Sequence, residues 1–392
     1  MRYLIIGGGI AGTTAAEELR KIDAAAEITI IDHEDNVCYS RVLLPHYVKG
    51  VVPREKVFLR KPEWYGAQRI EAFFGTIVMS IDTKNKHVVV DSGREIPYDV
   101  LLITTGGEVN TAPEDMRGVS YLHTLGDADH FLELLREVTQ LPKEEQCATV
   151  LGGGFIALEY INIFSHFGIP TTVIKRSSGF WSRTLSEHAQ AVLANHATSH
   201  GVTLLTNELN PKLEGKKTLE SVVTASGKRI PTRILGVGIG IHADTALFID
   251  AGIFCGEGIL ASSTLETNVD GVYTAGDVAE PEHPLYGRPV QIGNWQSAQM
   301  QGRAVAKTMS GASTVFEAVT SYATNLLGMH VVFVGDTSRA HAERVESHKA
   351  TPTSSVDLFF RDNRIVGATL VGDVSDRAAI TKAIQEKYAR LA

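Results

Sequence analysis

The chain has 392 residues, of which 44% are hydrophobic and 21% are charged, and its formal net charge is −8. This length predicts two to three domains, and the acidic balance argues against a nucleic-acid-binding surface or a cationic membrane patch. The three cysteines, Cys38, Cys147 and Cys255, lie far apart, which argues against a disulfide scaffold, a zinc site or an iron–sulfur cluster and suits a reducing compartment. No targeting sequence and no apolar stretch of about 18 residues is found, so we expect a cytoplasmic protein without a membrane span.

A glycine-rich segment follows the first short apolar run. Residues 3–6 predict a buried strand, residues 7–12 a turn, residues 13–21 a helix, and residues 27–31 a second strand that ends at Asp32. Such a strand–turn–helix–strand unit binds a dinucleotide, because the pyrophosphate meets the free N–H groups of the helix N-terminus. The carboxylate of Asp32, or of the nearby Glu34, can accept hydrogen bonds from ribose hydroxyls. The alternative for Asp32 is a solvated acid at a strand end.

The same pattern recurs about 145 positions later. Residues 148–151 predict a strand, residues 152–157 a glycine-rich turn, a helix runs to about residue 167, and residues 171–174 form a second strand. At the end of that strand stand Lys175 and Arg176 in place of an acid. Cations cannot accept ribose hydroxyls but suit a 2′-phosphate, which favours NADPH over NADH. The alternative is a solvated basic loop.

Other segments complete two such units and add a third region. Residues 98–107, 233–240 and 271–277 predict strands that end in small residues, where the backbone can approach a cofactor closely. Residues 72–81 and 87–90 predict an antiparallel meander. From about residue 314, strands at 331–334, 356–360 and 365–368 and an amphipathic helix at 376–391 predict a small α+β domain.

Together these motifs resemble the flavoprotein reductases of the glutathione-reductase-like superfamily, in particular the branch of rubredoxin and ferredoxin reductases and the NAD(FAD) subunit of nitrite reductase. The resemblance implies an α/β fold with two Rossmann-like domains and a small C-terminal domain. The FAD-binding domain would comprise residues 1–108 and 241–313, the NAD(P)-binding domain residues 109–240, and a C-terminal interface or dimerisation domain residues 314–392. The segments that carry the resemblance are 7–12, 39–41, 101–107, 122–128, 152–159 and 274–277.

The resemblance also implies roles for single residues. Glu159 would lie near the nicotinamide ring, Phe155 near the flavin face, and His46 would hydrogen-bond the flavin in place of a family lysine. The alternatives are an exposed helical glutamate, a core phenylalanine and a capping or surface histidine. Arg41 would reach the FAD phosphates or the isoalloxazine; the alternative is a surface arginine. Asp277 would accept a hydrogen bond from a ribityl hydroxyl; the alternative is a helix N-cap aspartate. The predicted cofactor-binding residues are Gly7, Gly9, Ile10, Ala11, Gly12, Asp32, His33, Glu34, Arg41, Thr105, Gly106, Gly152, Gly154, Phe155, Ile156, Lys175, Arg176, Gly238, Gly276, Asp277, Gly293, Asn294 and Trp295.

One departure from the family limits the mechanism. The position of a single redox cysteine falls on Val42, and Cys38 is offset from it, so a disulfide reductase is disfavoured. We therefore expect a hydride to pass from NADPH or NADH to FAD, and electrons to leave for a small redox protein: a rubredoxin, a ferredoxin or an iron–sulfur subunit. An NAD(P)H oxidase or quinone reductase, and a flavin-binding subunit of a larger complex without its own nicotinamide turnover, are the alternatives. No metal-binding spacing is present, and a homodimer is expected by family analogy alone.

Overall fold

The computed structural model describes residues 1–112, 114, 116–388 and 390. The strands in this part of the chain are β1 Arg2–Ile6, β2 Glu27–Ile31, β3 Ile70–Phe73, β4 Val78–Asp82, β5 His87–Val90, β6 Glu95–Pro97, β7 Val100–Ile103, β8 Glu108–Val109, β9 Val119–Ser120, β10 Ala148–Leu151, β11 Thr171–Ile174, β12 Thr203–Leu205, β13 Lys212–Gly215, β14 Leu219–Val223, β15 Arg229–Pro231, β16 Ile234–Val237, β17 Ile241–His242, β18 Ile259–Ala261, β19 Val272–Thr274, β20 Ala279–His283, β21 Arg288–Pro289, β22 Ser321–Leu326, β23 Met329–Gly335, β24 Arg344–Thr351, β25 Ser354–Arg361 and β26 Arg364–Val371.

The α-helices are α1 Ile10–Ile22, α2 Leu44–Val48, α3 Pro62–Ala67, α4 Leu125–Gln140, α5 Phe155–His166, α6 Glu187–Ser199, α7 Ala246–Asp250, α8 Trp295–Met309 and α9 Arg377–Gln385. Short 3-10 helices lie at Arg41–Leu43, Arg54–Lys56 and Lys143–Glu145. Within the described residues, no helix is long and apolar enough to cross a membrane.

The chain divides into two compact units, and neither is one continuous stretch of sequence. Unit 1 consists of Met1–Ser40, Arg54–Glu108 and His242–Thr320, and unit 2 of Arg41–Pro53, Val109–Ile241 and Ser321–Ala392. The domain limits expected from the sequence stay predictions. The short segment Arg41–Pro53 folds with unit 2, although the residues on both sides of it fold with unit 1.

Unit 1 is built on a five-stranded parallel sheet in the order β19-β7-β1-β2-β3. Its central strands are short and apolar, as expected when both faces of a parallel sheet are covered, and β1 is buried at every residue after Arg2. Helix α1 buries Ala15, Ala16 and Leu19 on one face and packs against α8. A three-stranded antiparallel sheet, β4-β5-β6, lies beside this core.

One expected element of unit 1 was wrong. Residues 72–81 do not form one strand of a meander: β3 pairs in parallel with β2, and only β4 belongs to the antiparallel sheet. The break falls at Gly75, which has φ +64 and whose added Cβ would lie 2.1 Å from Oδ1 of Asp35. A residue with a side chain is strained in that conformation, so glycine ends the strand there.

Unit 2 contains a second five-stranded parallel sheet, in the order β12-β11-β10-β16-β9. Helix α4 begins with a capping box, in which Thr124 and Asp127 bind each other's backbone N–H groups. A five-stranded antiparallel sheet, β22-β23-β26-β25-β24, follows, with α9 packed on β23 and β26. The three C-terminal strands expected from the sequence are confirmed as parts of β23, β25 and β26, whereas α9 ends at Gln385; the expected helix end at Leu391 lies outside the described residues.

Candidate functional site

The first glycine-rich turn lies between β1 and α1 and packs against the end of β7. Gly7 has φ +106, and a Cβ added there would lie 2.3 Å from the carbonyl oxygen of Thr104. A Cβ at Gly12 would lie 2.1 Å from the carbonyl oxygen of Gly7, so helix and strand pack as closely as backbone allows. A Cβ at Gly9, by contrast, would meet nothing within 4 Å. The turn is therefore rigid on its protein side and accessible at the start of the helix.

The helices that follow the two glycine-rich turns begin without a side-chain cap. Gly9 and Gly154 are the N-cap residues of α1 and α5, and neither end has a side-chain hydrogen bond. Helices α4, α6 and α8 are instead capped by Thr124, Ser186 and Asn294. Uncapped N–H groups at a helix start bind phosphate well, since they donate hydrogen bonds and the helix dipole favours negative charge there.

Asp32 supports the first turn from the end of β2. The N–H of Gly8 donates to Oδ2 of Asp32 at 2.7 Å, and the N–H of Glu34 donates to Oδ1 at 3.0 Å. Burial raises the pKa of the Asp32 carboxyl. His33 is exposed, and its Nδ1 lies 3.5 Å from Oδ1 of Asp32. Glu34 accepts a hydrogen bond from the hydroxyl of Tyr39 at 2.7 Å.

A cavity of about 140 Å³ adjoins the first turn within unit 1. That volume is smaller than a whole dinucleotide site of 300 Å³ or more, so it accommodates one part of such a ligand. Two predicted residues line it, Ile10 and Trp295, and Cys38 is in its wall. The complete lining is Ile10, Thr13, Thr14, Cys38, Leu59, Arg60, Trp295 and Gln299.

Arg60 is a residue of this cavity that motif analysis did not find. Its Nη2 donates to Oε2 of Glu17 at 2.7 Å, and its guanidinium lies 4.8 Å from the ring centroid of Trp64. Its Nε is buried without a hydrogen-bond acceptor. A buried guanidinium donor beside a phosphate-binding turn is suited to an anion. No local motif marks Arg60, because only the tertiary fold brings it to α1.

The loop regions expected to close over the flavin lie in the same unit. Gly276 has φ +86, and a Cβ there would lie 3.2 Å from Cβ of Ala11, which places the loop against the first turn of α1. The N–H of Gly276 donates to Oε1 of Gln301 at 2.9 Å, a contact that no motif in the sequence predicts. A Cβ at Gly293 would lie 3.6 Å from Oδ2 of Asp277.

The loops after β7 and before α8 complete this group. Thr105 and Gly106 lie two and three residues after the end of β7, and Gly106 has φ +72 with no atom within 4 Å of an added Cβ. Oδ1 of Asn294 accepts the N–H of Ser297 at 2.8 Å, while its Nδ2 is buried without an acceptor. Unit 1 thus contains the residues predicted for the first site except Arg41 and His46, and the buried donors Nε of Arg60 and Nδ2 of Asn294 have no hydrogen-bond acceptor there.

The second glycine-rich turn repeats the backbone geometry of the first. Gly152 has φ +119, and a Cβ there would lie 2.0 Å from the carbonyl oxygen of Gly238, at the end of β16. A Cβ at Gly238 would lie 2.7 Å from the backbone nitrogen of Ala157. The turn, the first residues of α5 and the end of β16 therefore form a closely packed strand–turn–helix of the Rossmann type.

Lys175 lies where the first unit has Asp32, directly after the second strand. Its Cδ is 3.0 Å from a Cβ added at Gly153, and only 2% of the residue is exposed. Its Nζ has no hydrogen-bond partner and lies 4.0 Å from the ring centroid of Phe180. Burial lowers the pKa of Lys175 to about 8. The neighbouring Arg176 is exposed.

Phe155 belongs to an aromatic cluster at the start of α5. Its ring centroid is 4.9 Å from Trp181, 4.6 Å from Tyr322 and 5.3 Å from Phe333. Trp181 has φ +42, an uncommon conformation for a bulky residue. Its backbone N–H donates to the carbonyl oxygen of Gly153 at 3.2 Å. The indole nitrogen is 3.8 Å from a Cβ added at Gly154, so Trp181 borders the second turn.

Glu159 lies one turn beyond Phe155 on α5, and the half-buried Ile156 directly follows Phe155. The hydroxyl of Thr324 on β22 donates to Oε1 of Glu159 at 3.2 Å, and burial raises the pKa of the glutamate. Asn162 fixes the same helix to the next hairpin: its Nδ2 donates to the carbonyl oxygen of Asn325, and its Oδ1 accepts the N–H of Leu327, both at 2.8 Å.

Arg41 and His46 fold with unit 2, although their expected partner was the cofactor of the first turn. Nη1 of Arg41 donates to the carbonyl oxygen of His123. His46 is an exposed residue of α2, and desolvation, followed by the charge of Lys49, lowers the pKa of its imidazole. Val42, where disulfide-type relatives would have a thiol, is 57% exposed. Among the described residues the three cysteines form no disulfide, and no cluster of His, Cys, Asp and Glu there could hold a metal ion.

The chain belongs to the pyridine nucleotide-disulphide oxidoreductase family, whose sequence profile matches residues 1–302. Residues 324–388 match the C-terminal domain of rubredoxin NAD+ reductase. The expected superfamily, the two Rossmann-like domains and the cofactor pair of FAD and a nicotinamide nucleotide, which this family uses, are thereby confirmed.

Particular relatives cover nearly all of the chain. Over 393 residues the chain is 27% identical to nitrite reductase [NAD(P)H] of Bacillus subtilis. This match covers 98% of the chain but only 47% of the relative, so the chain spans about half of that protein's length. It is 29% identical to the ferredoxin–NAD(+) reductase component of the anthranilate 1,2-dioxygenase system of Burkholderia cepacia, covering 97% of the chain and 93% of the relative. The fold matches the putidaredoxin reductase–putidaredoxin complex with a TM-score of 0.90 and 22% identity, over 98% and 93% of the two chains.

Proposed function

We propose that this chain takes electrons from NAD(P)H through FAD and delivers them to a small one-electron carrier of the ferredoxin or rubredoxin class. The observation that carries the proposal is the pair of glycine-rich turns, each followed by a helix whose N-terminus has no side-chain cap. Two phosphate-binding turns in one chain fit two dinucleotides. The named functions of the relatives and the rubredoxin-reductase C-terminal domain support the choice of acceptor.

We assign FAD to the first turn because the residues present there fit it. The uncapped start of α1 would hold the pyrophosphate, and Asp32 would accept a ribose hydroxyl. The buried donors on Arg60 and Asn294 gain acceptors when a phosphorylated, carbonyl-rich ligand binds. FAD, when bound, supplies a flavin ring that accepts a hydride and releases its electrons to an acceptor.

We assign the nicotinamide nucleotide to the second turn. The uncapped start of α5 would hold its pyrophosphate, and Phe155 and Glu159 follow on the same helix. Thr324 donates a hydrogen bond to Oε1 of Glu159, and burial raises the pKa of this carboxyl. Glu159 would therefore orient the ring by hydrogen bonding, and Phe155 would shape the space in front of it. The roles of Arg41 and His46 at the flavin stay predictions.

The residues around the expected redox-cysteine position indicate that the flavin passes its electrons to an external acceptor. Val42 replaces the cysteine that a disulfide relay needs, and Cys38 is buried in the cavity wall with no cysteine partner among the described residues. Electrons must therefore leave the flavin for another molecule. We also place the protein in the cytoplasm, because scattered free thiols suit a reducing compartment.

The experiment is anaerobic reduction of the FAD-loaded chain by NADPH and, separately, by NADH. We expect the flavin absorbance to bleach, and to recover at once when oxidised ferredoxin or rubredoxin is added. Recovery only with oxygen or a quinone would instead indicate an oxidase or quinone reductase. Absence of bleaching with either nucleotide would refute the proposed nicotinamide chemistry.

A second candidate is a flavin-binding subunit of a larger redox complex without its own nicotinamide turnover. Two observations favour it: the chain is about half as long as nitrite reductase [NAD(P)H], and Trp181 borders the turn that the nicotinamide nucleotide would occupy. Chemical reduction of the flavin by dithionite, followed by electron transfer to an iron–sulfur partner, together with a failure of NAD(P)H to reduce it, would establish this alternative.

A further inference from the structure

The two glycine-rich turns have opposite charges at one equivalent position. In each turn the middle glycine faces the residue that follows the second strand. A Cβ at Gly8 would lie 2.6 Å from Oδ2 of Asp32, and a Cβ at Gly153 would lie 3.0 Å from Cδ of Lys175. The side chain at this position therefore lies under the turn in both units, but it is an acceptor in one and a donor in the other.

This difference decides which ribose each turn can bind. A carboxylate accepts hydrogen bonds from ribose hydroxyls, whereas an ammonium has three donors and no acceptor. An unmodified ribose would leave Lys175 with a poor partner. A ribose 2′-phosphate supplies both acceptor oxygens and compensating negative charge.

Because Lys175 is buried, it gains more from a bound phosphate than Arg176 does. A buried ammonium without a hydrogen-bond acceptor is costly, and the ring of Phe180, 4.0 Å away, compensates it only in part. A bound phosphate would supply the missing acceptor. Arg176 is exposed and hydrated, so it gains much less from the same anion.

We propose that Lys175 makes the second turn selective for an adenosine 2′-phosphate, so that the nucleotide it binds is NADPH in preference to NADH. This inference rests on the proposed function, in which the second turn holds the nicotinamide nucleotide. It extends that function by naming the phosphorylated form and the one amine that recognises it.

The test measures the affinity of the full chain, with FAD bound at the first turn, for adenosine 2′,5′-bisphosphate and for 5′-AMP. These two ligands differ only in the 2′-phosphate, and calorimetry detects their binding without any turnover. We expect wild type to bind the bisphosphate at least tenfold more tightly, Lys175→Met to bring the ratio close to one, and Lys175→Glu to favour 5′-AMP. Arg176→Ala tests the neighbouring cation, and we expect it to change the ratio by less than threefold.

Equal affinities in wild type, or a ratio that depends on Arg176 and not on Lys175, would overturn the inference and leave the proposed function intact. Binding of neither ligand, with FAD retained, would overturn both the inference and the nicotinamide assignment. The wild-type ratio tests the inference even if a variant folds poorly, and a thermal melt of each variant identifies that case.

Discussion

The carboxylate of Glu159 on α5 accepts a hydrogen bond from the hydroxyl of Thr324 on β22, at 3.2 Å. The bond joins the helix of the second glycine-rich turn to the C-terminal antiparallel sheet within unit 2. This hydrogen bond restrains the orientation of the carboxylate. This arrangement predicts separate effects for the two partners.

Replacement of Glu159 by Gln should slow the reduction of bound flavin by NAD(P)H about tenfold, because the amide replaces a carboxylate acceptor with a donor and so misplaces the nicotinamide ring. The FAD content should stay at the wild-type level. Stopped-flow absorbance measures the rate. Thr324→Val should have a smaller kinetic effect, since the carboxyl remains; an equal loss in both variants would mean that Glu159 acts only as a structural contact.

Removal of the Arg60 guanidinium should weaken FAD binding about tenfold or more, because a hydrogen bond to a charged group contributes about 1.5–3 kcal/mol. Fluorescence titration of the apoprotein with FAD gives the dissociation constant for Arg60→Ala. In this variant Glu17 loses its ion pair with Arg60 but keeps the one with Lys21, whose Nζ lies 3.5 Å from Oε1 of Glu17. The neighbouring Lys61 is exposed, and Lys61→Ala should leave the constant within twofold. If both variants bind FAD alike, Arg60 does not face the cofactor.

Substitution of Gly7 by Ala should unfold or severely destabilise the protein, by at least about 3 kcal/mol. Both its φ of +106 and the 2.3 Å approach of Thr104 oppose a side chain. Gly93→Ala separates the two causes: Gly93 has φ +79 but no atom within 4 Å of an added Cβ, so only about 1 kcal/mol should be lost. Urea unfolding of both variants measures the difference.

Stability should depend on pH through Lys175. Its folded-state pKa of about 8 lies below the value near 10.4 of an unfolded chain. The unfolded state therefore binds the proton more tightly, and this residue costs stability that is fully present below pH 8 and disappears as the pH rises toward about 10.4. Lys175→Met should be more stable at pH 7 by up to about 3 kcal/mol, and the gap should close by about pH 10.5. Urea unfolding at several pH values checks this; a gap that does not change with pH would contradict it.

The local parts of the fold were predictable because local patterns encode them. The strand–turn–helix–strand units were visible, and so was the position of Lys175 after a strand, since periodicity and glycine spacing are properties of neighbouring residues. The long strand expected at 72–81 failed at Gly75, where the backbone conformation, not hydrophobicity, ends the strand.

The rest of the site depends on contacts between distant segments. Arg60 reaches α1, and Gln301 reaches Gly276, only through the packing of segments distant in sequence, and no spacing rule connects them with Gly7. The position of Arg41 in unit 2 also depends on contacts between distant segments. The motif around Arg41 indicates a cofactor, but it does not indicate the unit with which the segment folds. The aromatic contact of Phe155 with Trp181 also joins residues that no motif relates.

The discontinuity of unit 1 has a consequence during synthesis. Strand β19 pairs with β7, and the two ends that meet, Ile103 and Thr274, are 171 residues apart. At about 5–20 residues per second, the ribosome needs roughly 10–35 s to supply the missing edge strand. During that interval the apolar edge of β7 has no partner and is open to aggregation. A nascent chain that stalls before residue 272 should therefore be a substrate for chaperones, whereas the finished chain should not.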